Sequence, residues 1–251
     1  MKNNTRFNIS FIFIYKYKYI YVKMKNLNIF SLVTEYENTK SGGVLNVPNV
    51  SFVDEDSSVR YLVDIKIKYE YVDLGLPSGL KWATCNVGAS NPQDYGLYFA
   101  WGETTGYTAE QVKSGVRAFD EASYKASAIS TNLTLEQDAA HVNLGGNWRM
   151  PTKRECEELY DNCKVVLTSD YNGTGVKGRV FKSKVNENSV FFPAAGFCNE
   201  SSVYGVGRDN YCWSASWNSS SRAYELYFGS GPQYERRGRR VCGLSVRAVC
   251  E

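Results

Sequence analysis

The sequence predicts an α+β domain that is mostly β-sheet, preceded by a further β-rich segment. Three observations favour this fold class. Aromatic residues are dense, with 19 Tyr, 12 Phe and 5 Trp in 251 residues, and such side chains suit strands and contact surfaces better than exposed helices. From residue 71 onwards, short apolar stretches alternate with glycine, proline and asparagine turns. Finally, only two segments carry the signature of a capped helix.

Composition limits the chemistry that the chain can perform. A net charge of +3 is too small to indicate a nucleic-acid partner, so none is expected. The chain has one histidine, His141, and seven cysteines, which show no CxxC spacing. We therefore expect no metal site, no cofactor and no catalytic residue, and we interpret the protein as a non-enzyme. His141 is expected to hydrogen-bond a neighbouring loop.

The first 23 residues mix apolar residues with lysines. Their longest apolar run, Phe11 to Tyr15, is too short for a signal peptide or a membrane span, so no membrane span is expected. Met24 is a plausible start codon in its own right. We interpret residues 1–23 as a disordered or wrongly included leader.

Residues 24–68 are predicted to form a β-rich segment that serves attachment or homo-oligomerisation. Two strand-like pieces, 28–36 and 44–53, are joined by a turn, and residues 59–71 alternate as a strand expected to enter the main domain. The main domain is placed at residues 69–251.

Two helices are predicted from capping boxes. Thr134 with Gln137 opens a short helix that ends at a glycine pair, and Thr152 with Glu155 opens a second one. The polar stretch 105–129 is expected to be an irregular insertion. The charged residues Glu103 and Arg149, which stand beside bulky apolar neighbours, are expected to be paired inside the domain.

The second helix carries one apolar stripe at i, i+3, i+4 and i+7, formed by Cys156, Leu159, Tyr160 and Cys163. Its two cysteines lie too far apart along the axis for a disulfide. A disulfide between Cys85 and Cys250 requires the first and last strands of the domain to pair, and this alternative stays open.

The last part of the chain contains two patterned strands and a hairpin before them. The hairpin is predicted at 179–185 and 190–193. Residues 223–228 and 244–250 each alternate, whereas 229–243 contains glycines, a proline and charges that predict an exposed loop.

Several stretches together resemble one known family. They read VDLGLPSGLKWATCNVGA, YGLYFAWGE, LGGNWRMPTKRECEELYDNC, FFPAAGF, YCWSAS, AYELYF and GLSVRAVC, in that order. They resemble the Fibrobacter succinogenes major paralogous domain of Bacteroidetes and their phages. The resemblance implies a C-type lectin-like fold of the variant shared with formylglycine-generating enzymes, with two helices on a twisted antiparallel sheet. It also implies that the segment before the last strand belongs to an exposed binding face.

A narrower resemblance is to the variable proteins of diversity-generating retroelements, whose C-terminal repeat is diversified at surface positions. An ordinary loop of a paralogue that is not diversified is the alternative. The resemblance implies non-enzymatic recognition of a protein or glycan ligand on a cell surface, by a chain displayed on a cell or a virion. The alternative function is structural, in the assembly of a phage particle or cell surface without a dedicated ligand.

The predicted ligand-binding residues lie in two stretches that flank the strand at 223–228. Arginine guanidinium groups bind carboxylates and stack on aromatic rings, and four of them fall within residues 236–240. Calcium-dependent sugar binding is not expected, because neither Asn91-Pro92-Gln93-Asp94 nor Trp217-Asn218-Ser219 matches the calcium motifs of C-type lectins, and Ser219 stands where the second motif needs a carboxylate. The site residues are Trp217, Asn218, Ser219, Ser220, Ser221, Arg222, Tyr234, Arg236, Arg237, Arg239 and Cys242.

Overall fold

The computed structural model describes residues 9–13, 20–24, 30–32, 44–53, 60–229 and 232–251. For the strands before residue 69 and for residues 232–235 it describes the backbone alone. The chain divides into two compact units, Met1–Lys68 and Tyr69–Glu251. Each unit is described separately below.

The described part of the first unit consists of antiparallel strands in two small sheets. They are β1 (Ile9–Phe13), β2 (Ile20–Met24), β3 (Phe30–Leu32), β4 (Val44–Val53) and β5 (Arg60–Lys68). One sheet has the order β1-β2-β3, and the other is the hairpin β4-β5.

β3 lies within the strand predicted at 28–36 and pairs with β2, and β4 forms the strand predicted at 44–53 and pairs with β5. The strand predicted at 59–71 is present as β5, which ends at Lys68. Its entry into the main domain stays a prediction. The turn expected between the first two pieces lies outside the described residues. The leader at residues 1–23 stays a prediction, although β1 and most of β2 fall within it.

The second unit is mostly β-sheet with few helices, as an α+β class predicts. Its strands are β6 (Tyr71–Asp73), β7 (Lys81–Asn86), β8 (Cys163–Thr168), β9 (Gly178–Ser183), β10 (Ser189–Pro193), β11 (Phe197–Asn199), β12 (Ser202–Tyr204), β13 (Asn210–Trp217), β14 (Arg222–Phe228), β15 (Pro232–Arg239) and β16 (Arg247–Cys250). Its helices are α1 (Ala109–Lys113), α2 (Ala139–Leu144) and α3 (Lys153–Asn162), with short 3₁₀ turns at Leu135–Gln137 and Tyr171–Gly173.

The strands of this unit form small sheets instead of one continuous sheet. Their orders are β16-β7-β6, β10-β9-β8, β11-β12 and β13-β14-β15. The predicted hairpin is confirmed, because β9 and β10 pair antiparallel in the expected position. The last strand, β16, pairs with β7, the strand that contains Cys85.

The helix predicted after Thr152 is confirmed as α3. The Thr152 hydroxyl accepts from the Glu155 backbone N–H at 3.3 Å, and the Glu155 carboxylate accepts from the Thr152 N–H at 2.7 Å. This reciprocal cap satisfies two backbone donors that the first turn leaves open. Cys156 and Leu159 are buried on the predicted stripe.

The helix predicted after Thr134 is divided in two. Its capping box forms as expected, but it opens only the 3₁₀ turn Leu135–Gln137. Asp138 then caps α2, because its carboxylate accepts from the backbone N–H of His141 at 3.0 Å. Its second oxygen accepts from the Met150 N–H at 2.8 Å. The insertion at 105–129 is irregular apart from α1, which the sequence did not predict.

Two ion pairs, one buried and one partly exposed, contain the charged residues expected to be paired. Glu103 lies 2.8 Å from Arg117, and Arg149 lies 2.7 Å from Glu155. Both predicted residues are therefore paired. Burial acts to raise the pKa of the Glu155 carboxyl, but the hydrogen bonds and charge of Arg149 and the hydrogen bonds of Thr152 together lower it.

α3 packs against an aromatic cluster between β9, β10 and β14. The rings of Phe181 and Phe228 are 4.8 Å apart, those of Phe181 and Phe192 are 5.3 Å apart, and Tyr160 lies 5.4 Å from Phe181. Phe181 is 0 % exposed. Because one ring contacts the other three, its removal leaves a cavity that its neighbours cannot fill without moving.

We expect Phe181→Ala to lower the free energy of unfolding by about 3–5 kcal/mol. All five tryptophans lie at or beyond residue 82, so tryptophan fluorescence during urea unfolding reports on the second unit alone. Val185→Ala is the matched control, because this side chain is 71 % exposed, and we expect a change within about 0.5 kcal/mol. Equal destabilisation by both variants would contradict the packing described here.

Candidate functional site

The frame of the candidate site is the three-stranded sheet β13-β14-β15. Trp213, Leu226 and Phe228 are buried and belong to this frame. Leu244, Val246, Ala248 and Cys250 share one core, as their alternation predicts. The two stretches of predicted site residues therefore flank a strand that is packed on both faces.

The first stretch forms the turn between β13 and β14. Ser219 closes it, because its N–H donates to the Arg222 carbonyl at 2.9 Å and its hydroxyl accepts from the Arg222 N–H at 3.1 Å. Ser220, Ser221 and Arg222 are exposed, and Asn218 is partly exposed. The turn therefore presents short polar side chains and one guanidinium to solvent.

Trp217 is partly buried, because its ring packs against the core. Its backbone N–H donates to the Asn132 side chain at 2.9 Å. Its indole nitrogen is buried and has no hydrogen-bond partner among the described residues. A ring held in this way supports the turn more than it offers a free stacking surface.

The second stretch contradicts the predicted loop at 229–243, because most of it is the strand β15. The sequence lacks the alternation of a strand, but β15 pairs along β14, with Arg239 opposite Arg222 and Arg237 opposite Tyr224. Cross-strand partners share one side of a sheet. Arg236 and Gly238 therefore point to the other side, toward Glu225 and Ala223.

The arginines of this stretch lie in different environments. Arg237 and Arg239 are exposed, and Arg239 forms an exposed ion pair with Glu121 at 3.1 Å. Arg236 covers the Tyr227 ring, with its guanidinium carbon 4.2 Å from the ring centroid. Tyr234 belongs to β15, but its side chain lies outside the described residues.

Arg240 contradicts the expectation that all four arginines of residues 236–240 lie in an exposed loop, because it is 0 % exposed. Its guanidinium lies 4.6 Å from the centroid of the Trp101 ring and makes hydrogen bonds both to the insertion and to the β13–β14 turn. It donates to the Tyr124 hydroxyl at 2.9 Å, to the Ile129 carbonyl at 2.9 Å and to the Ser220 carbonyl at 3.0 Å. This side chain therefore fastens the insertion to the β13–β14 turn.

Cys242 is a second correction, because it is 7 % exposed. Desolvation by burial raises the pKa of its thiol to about 11. The side chain is neither a contact for a ligand nor a reactive thiol at neutral pH. We therefore remove it from the candidate site.

The sequence did not reveal that Glu225 is buried. Its carboxylate is 3 % exposed and lies 3.0 Å from the Arg236 guanidinium, yet its Oε1 atom accepts no hydrogen bond from a described residue. Desolvation by burial raises the pKa of Glu225 to about 7, against the opposing effects of Arg236 and Arg222. Gly238 leaves room for it, because an added Cβ would collide with this carboxylate.

A cavity of about 500 Å³ opens beside the insertion. None of the predicted site residues lines it, but the carbonyls of two lining residues, Ala126 and Ile129, accept hydrogen bonds from Arg240. Its lining residues are Gly102, Glu103, Thr104, Thr105, Tyr107, Arg117, Lys125, Ala126, Ala128, Ile129, Glu136 and Gln137.

The remaining chemical candidates have structural contacts. His141 Nδ1 lies 3.1 Å from the Trp148 carbonyl, which is the expected hydrogen bond to a neighbouring loop. Asn91 and Asp94 form a closed turn, with the Asn91 N–H donating to the Asp94 carboxylate at 2.9 Å. Across the described residues, no group of three or more histidine, cysteine or acidic side chains could hold a metal ion.

The cysteines of the second unit are all free. β16 places Cys250 opposite Lys81, and Arg247 opposite Asn86, so Cys85 and Cys250 lie at different ends of the ladder. The disulfide left open from the sequence is therefore absent from this described unit, although its two strands pair. No helix in the described ranges has the length and apolar character needed to cross a membrane.

The chain was compared with known proteins in three ways. It matches no protein-family model, and no curated protein or solved structure matches it.

The raised pKa of Glu225 predicts a pH-dependent stability. The folded state holds the proton between pH 4.5 and about 7, where the unfolded chain has lost it. Stability from this group is therefore present below pH 4.5 and is lost as pH rises through 7, by up to about 3 kcal/mol. We expect Glu225→Gln to reduce this loss, measured by urea unfolding at pH 5 and pH 8.

The matched control for Glu225 is Glu121→Gln, because Glu121 is an exposed carboxylate. It should keep the pH dependence of the wild type. If the free energy of unfolding of Glu225→Gln changed between pH 5 and pH 8 as much as that of the wild type, the buried carboxylate would not titrate in this range.

We expect Arg240→Lys to destabilise the second unit by about 3 kcal/mol, because one ammonium group cannot replace several charge-assisted hydrogen bonds. Hydrogen exchange should accelerate at residues 124–129 and 219–221, which the guanidinium joins. Arg237→Lys is the control, since an exposed substitution should change stability by less than about 0.5 kcal/mol. Equal effects of the two lysine variants would contradict the fastening role of Arg240.

Proposed function

We propose that the second unit is a non-enzymatic ligand-binding domain, whose C-terminal face recognises a protein or glycan on a cell surface. We define the C-terminal face as Ser220, Ser221, Arg222, Arg237 and Arg239. The observation that carries the proposal is the contrast between these exposed polar side chains and the buried frame beneath them. A set of exposed polar groups on a rigid scaffold is typical of a recognition surface.

The rigidity of the face has identifiable sources. Arg240 holds the carbonyl of Ser220, and the Arg222 guanidinium donates to the Arg237 carbonyl at 2.9 Å. The two stretches of the face are thereby joined to each other and to the core. Binding then orders few additional side chains, which favours affinity.

A C-type lectin-like fold and membership of the Fibrobacter succinogenes major paralogous domain remain part of the proposal. The residues that carry the resemblance support it, because Trp82, Trp101 and Trp148 of the matching stretches are all buried. So does the position of the exposed arginines before the last strand. Diversification of the face by a retroelement is proposed on the same resemblance.

Binding is favoured over catalysis by the positions of the titratable groups. Glu225 has a pKa near neutrality, which suits a general base, but Gly238 and Arg236 cover it on the inner side of β15. The ring of His141 is engaged with the Trp148 carbonyl. Neither group is among the exposed residues of the face.

An assembly role is a second candidate, favoured by a different surface. β8 is the outer strand of the sheet β10-β9-β8, and both Val166 and Leu167 are exposed on it, the latter by 66 %. Exposed apolar side chains on an edge strand favour contact with another chain.

The proposed function is tested by probing the full chain against arrays of glycans and surface proteins. A face variant carries Ser220→Glu and Arg222→Glu, and a charge-matched control carries Ser201→Glu and Lys164→Glu at exposed sites elsewhere. We expect the face variant to lose at least about tenfold in affinity for each captured ligand, whereas the control keeps it. If every captured ligand bound the wild type, the face variant and the control with equal affinity, the result would count against the proposal and favour assembly. The same would follow if no ligand were captured.

A further inference from the structure

The outer edge of β15 differs from an ordinary sheet edge. The Arg240 N–H donates to the Ser221 carbonyl at 3.0 Å, so these two residues face each other through the hydrogen-bonding positions of the ladder. Such positions alternate along an antiparallel pair. The peptide groups of Arg239 and Arg237 therefore point away from β14, toward solvent.

Both carbonyls at this edge already accept hydrogen bonds. The Arg237 carbonyl accepts from the Arg222 guanidinium at 2.9 Å, and the Arg239 carbonyl accepts from the Cys242 N–H at 3.0 Å. Outside the β14–β15 ladder, no described residue accepts from the N–H groups of Arg237 and Arg239. The edge therefore offers hydrogen-bond donors, whereas its acceptors are occupied.

The side chains add charge to these donors. Among the described carboxylates, none forms an ion pair with Arg222 or Arg237, and Arg239 has only the exposed Glu121. Such an exposed pair contributes little and is readily displaced. Three guanidinium groups and two amide groups thus lie along one edge, where Glu121 is the one carboxylate among the described side chains that pairs with them.

We propose that this edge, defined by Arg222, Arg237 and Arg239, binds the carboxylate or sulfate groups of an acidic polysaccharide. The proposal rests on the ligand-binding function proposed above and specifies its ligand class. Guanidinium and amide donors together match the oxygens of such anions. Two residues of a strand span about 7 Å, so the Arg237 and Arg239 donors would take neighbouring anionic groups of one chain.

A polysaccharide fits this edge better than an extended acidic peptide does. A peptide that adds to a sheet needs both donors and acceptors along the edge, because its own N–H groups must be satisfied. Here both carbonyls are occupied. The hydroxyl, carboxylate and sulfate oxygens of an acidic glycan accept hydrogen bonds without this requirement.

The same arginines could instead only protect the edge from pairing with other strands, as charged residues on edge strands do. That role needs charge but neither a particular ligand nor the backbone amide groups. Substitution at a single arginine therefore separates the two roles. It should weaken ligand binding, whereas edge protection involves no ligand whose binding could be lost.

The test measures binding of the full chain to a sulfated oligosaccharide by calorimetry, with uncharged dextran and poly-glutamate as comparison ligands. Arg237→Gln and Arg239→Gln should each weaken binding about tenfold. Lys164→Gln is the matched control, because Lys164 is an exposed cation on the edge strand β8 of another sheet. It should leave the dissociation constant unchanged.

A further variant separates the contribution of the Arg237 backbone amide from that of its side-chain charge. Arg237→Pro removes the outward N–H together with the side chain, and proline is tolerated where an edge N–H faces solvent. We expect it to bind more weakly than Arg237→Gln, with folding verified by tryptophan fluorescence.

The remaining outcomes overturn the inference. Equal affinity of Arg237→Gln and Arg237→Pro would show that the Arg237 amide group does not contribute to binding. Tighter binding of poly-glutamate than of the sulfated oligosaccharide would identify a surface for acidic peptides. A lack of binding to the sulfated oligosaccharide would exclude the ligand class. If an array ligand were then lost in the face variant but kept in Arg237→Gln and Arg239→Gln, this inference would fail while the proposed function would stand.

Discussion

The hydrogen bonds of the buried Arg240 guanidinium are the interaction on which the candidate face depends. A buried charge is tolerated only when its donors are satisfied, and here the acceptors are carbonyls of two irregular segments, including Ile129 and Ser220. Neither segment is part of a β-sheet at these positions, so strand pairing does not satisfy these carbonyls. The guanidinium therefore supplies the donors that secondary structure supplies elsewhere, and it fixes where β15 ends.

Arg247 is a second buried arginine whose guanidinium donates to carbonyl and amide oxygens. It is 0 % exposed and donates to the Ala83 carbonyl at 3.0 Å and the Asn86 side chain at 3.0 Å. One nitrogen has no partner among the described residues, and desolvation lowers the pKa of this arginine to about 10. A unit built from small sheets leaves many carbonyls outside ladders, and long cationic side chains satisfy several of them at once.

Local patterns predicted the elements whose determinants are local. The cap of α3 involves residues three apart, and the alternation of residues 223–228 lies within one strand, so the sequence suffices for both. β15 was missed because nothing in its own sequence indicates a strand, and it forms only through pairing with β14. The burial of Glu225 was missed for the same reason: it depends on Gly238 across the ladder, which leaves space for a carboxylate.

The period of two along a strand explains why adjacent arginines differ so much. Arg237 and Arg239 face solvent, whereas Arg236, Gly238 and Arg240 meet the aromatic rings, the carboxylate and the carbonyls of the frame. A substitution at the first two positions changes the surface alone, but one at the other three removes a contact of the core. Variation that preserves the fold is therefore restricted to alternate residues of β15 and to the turn at 218–222. The recognition surface can change in its chemistry, but the positions that change it are set by the register with β14.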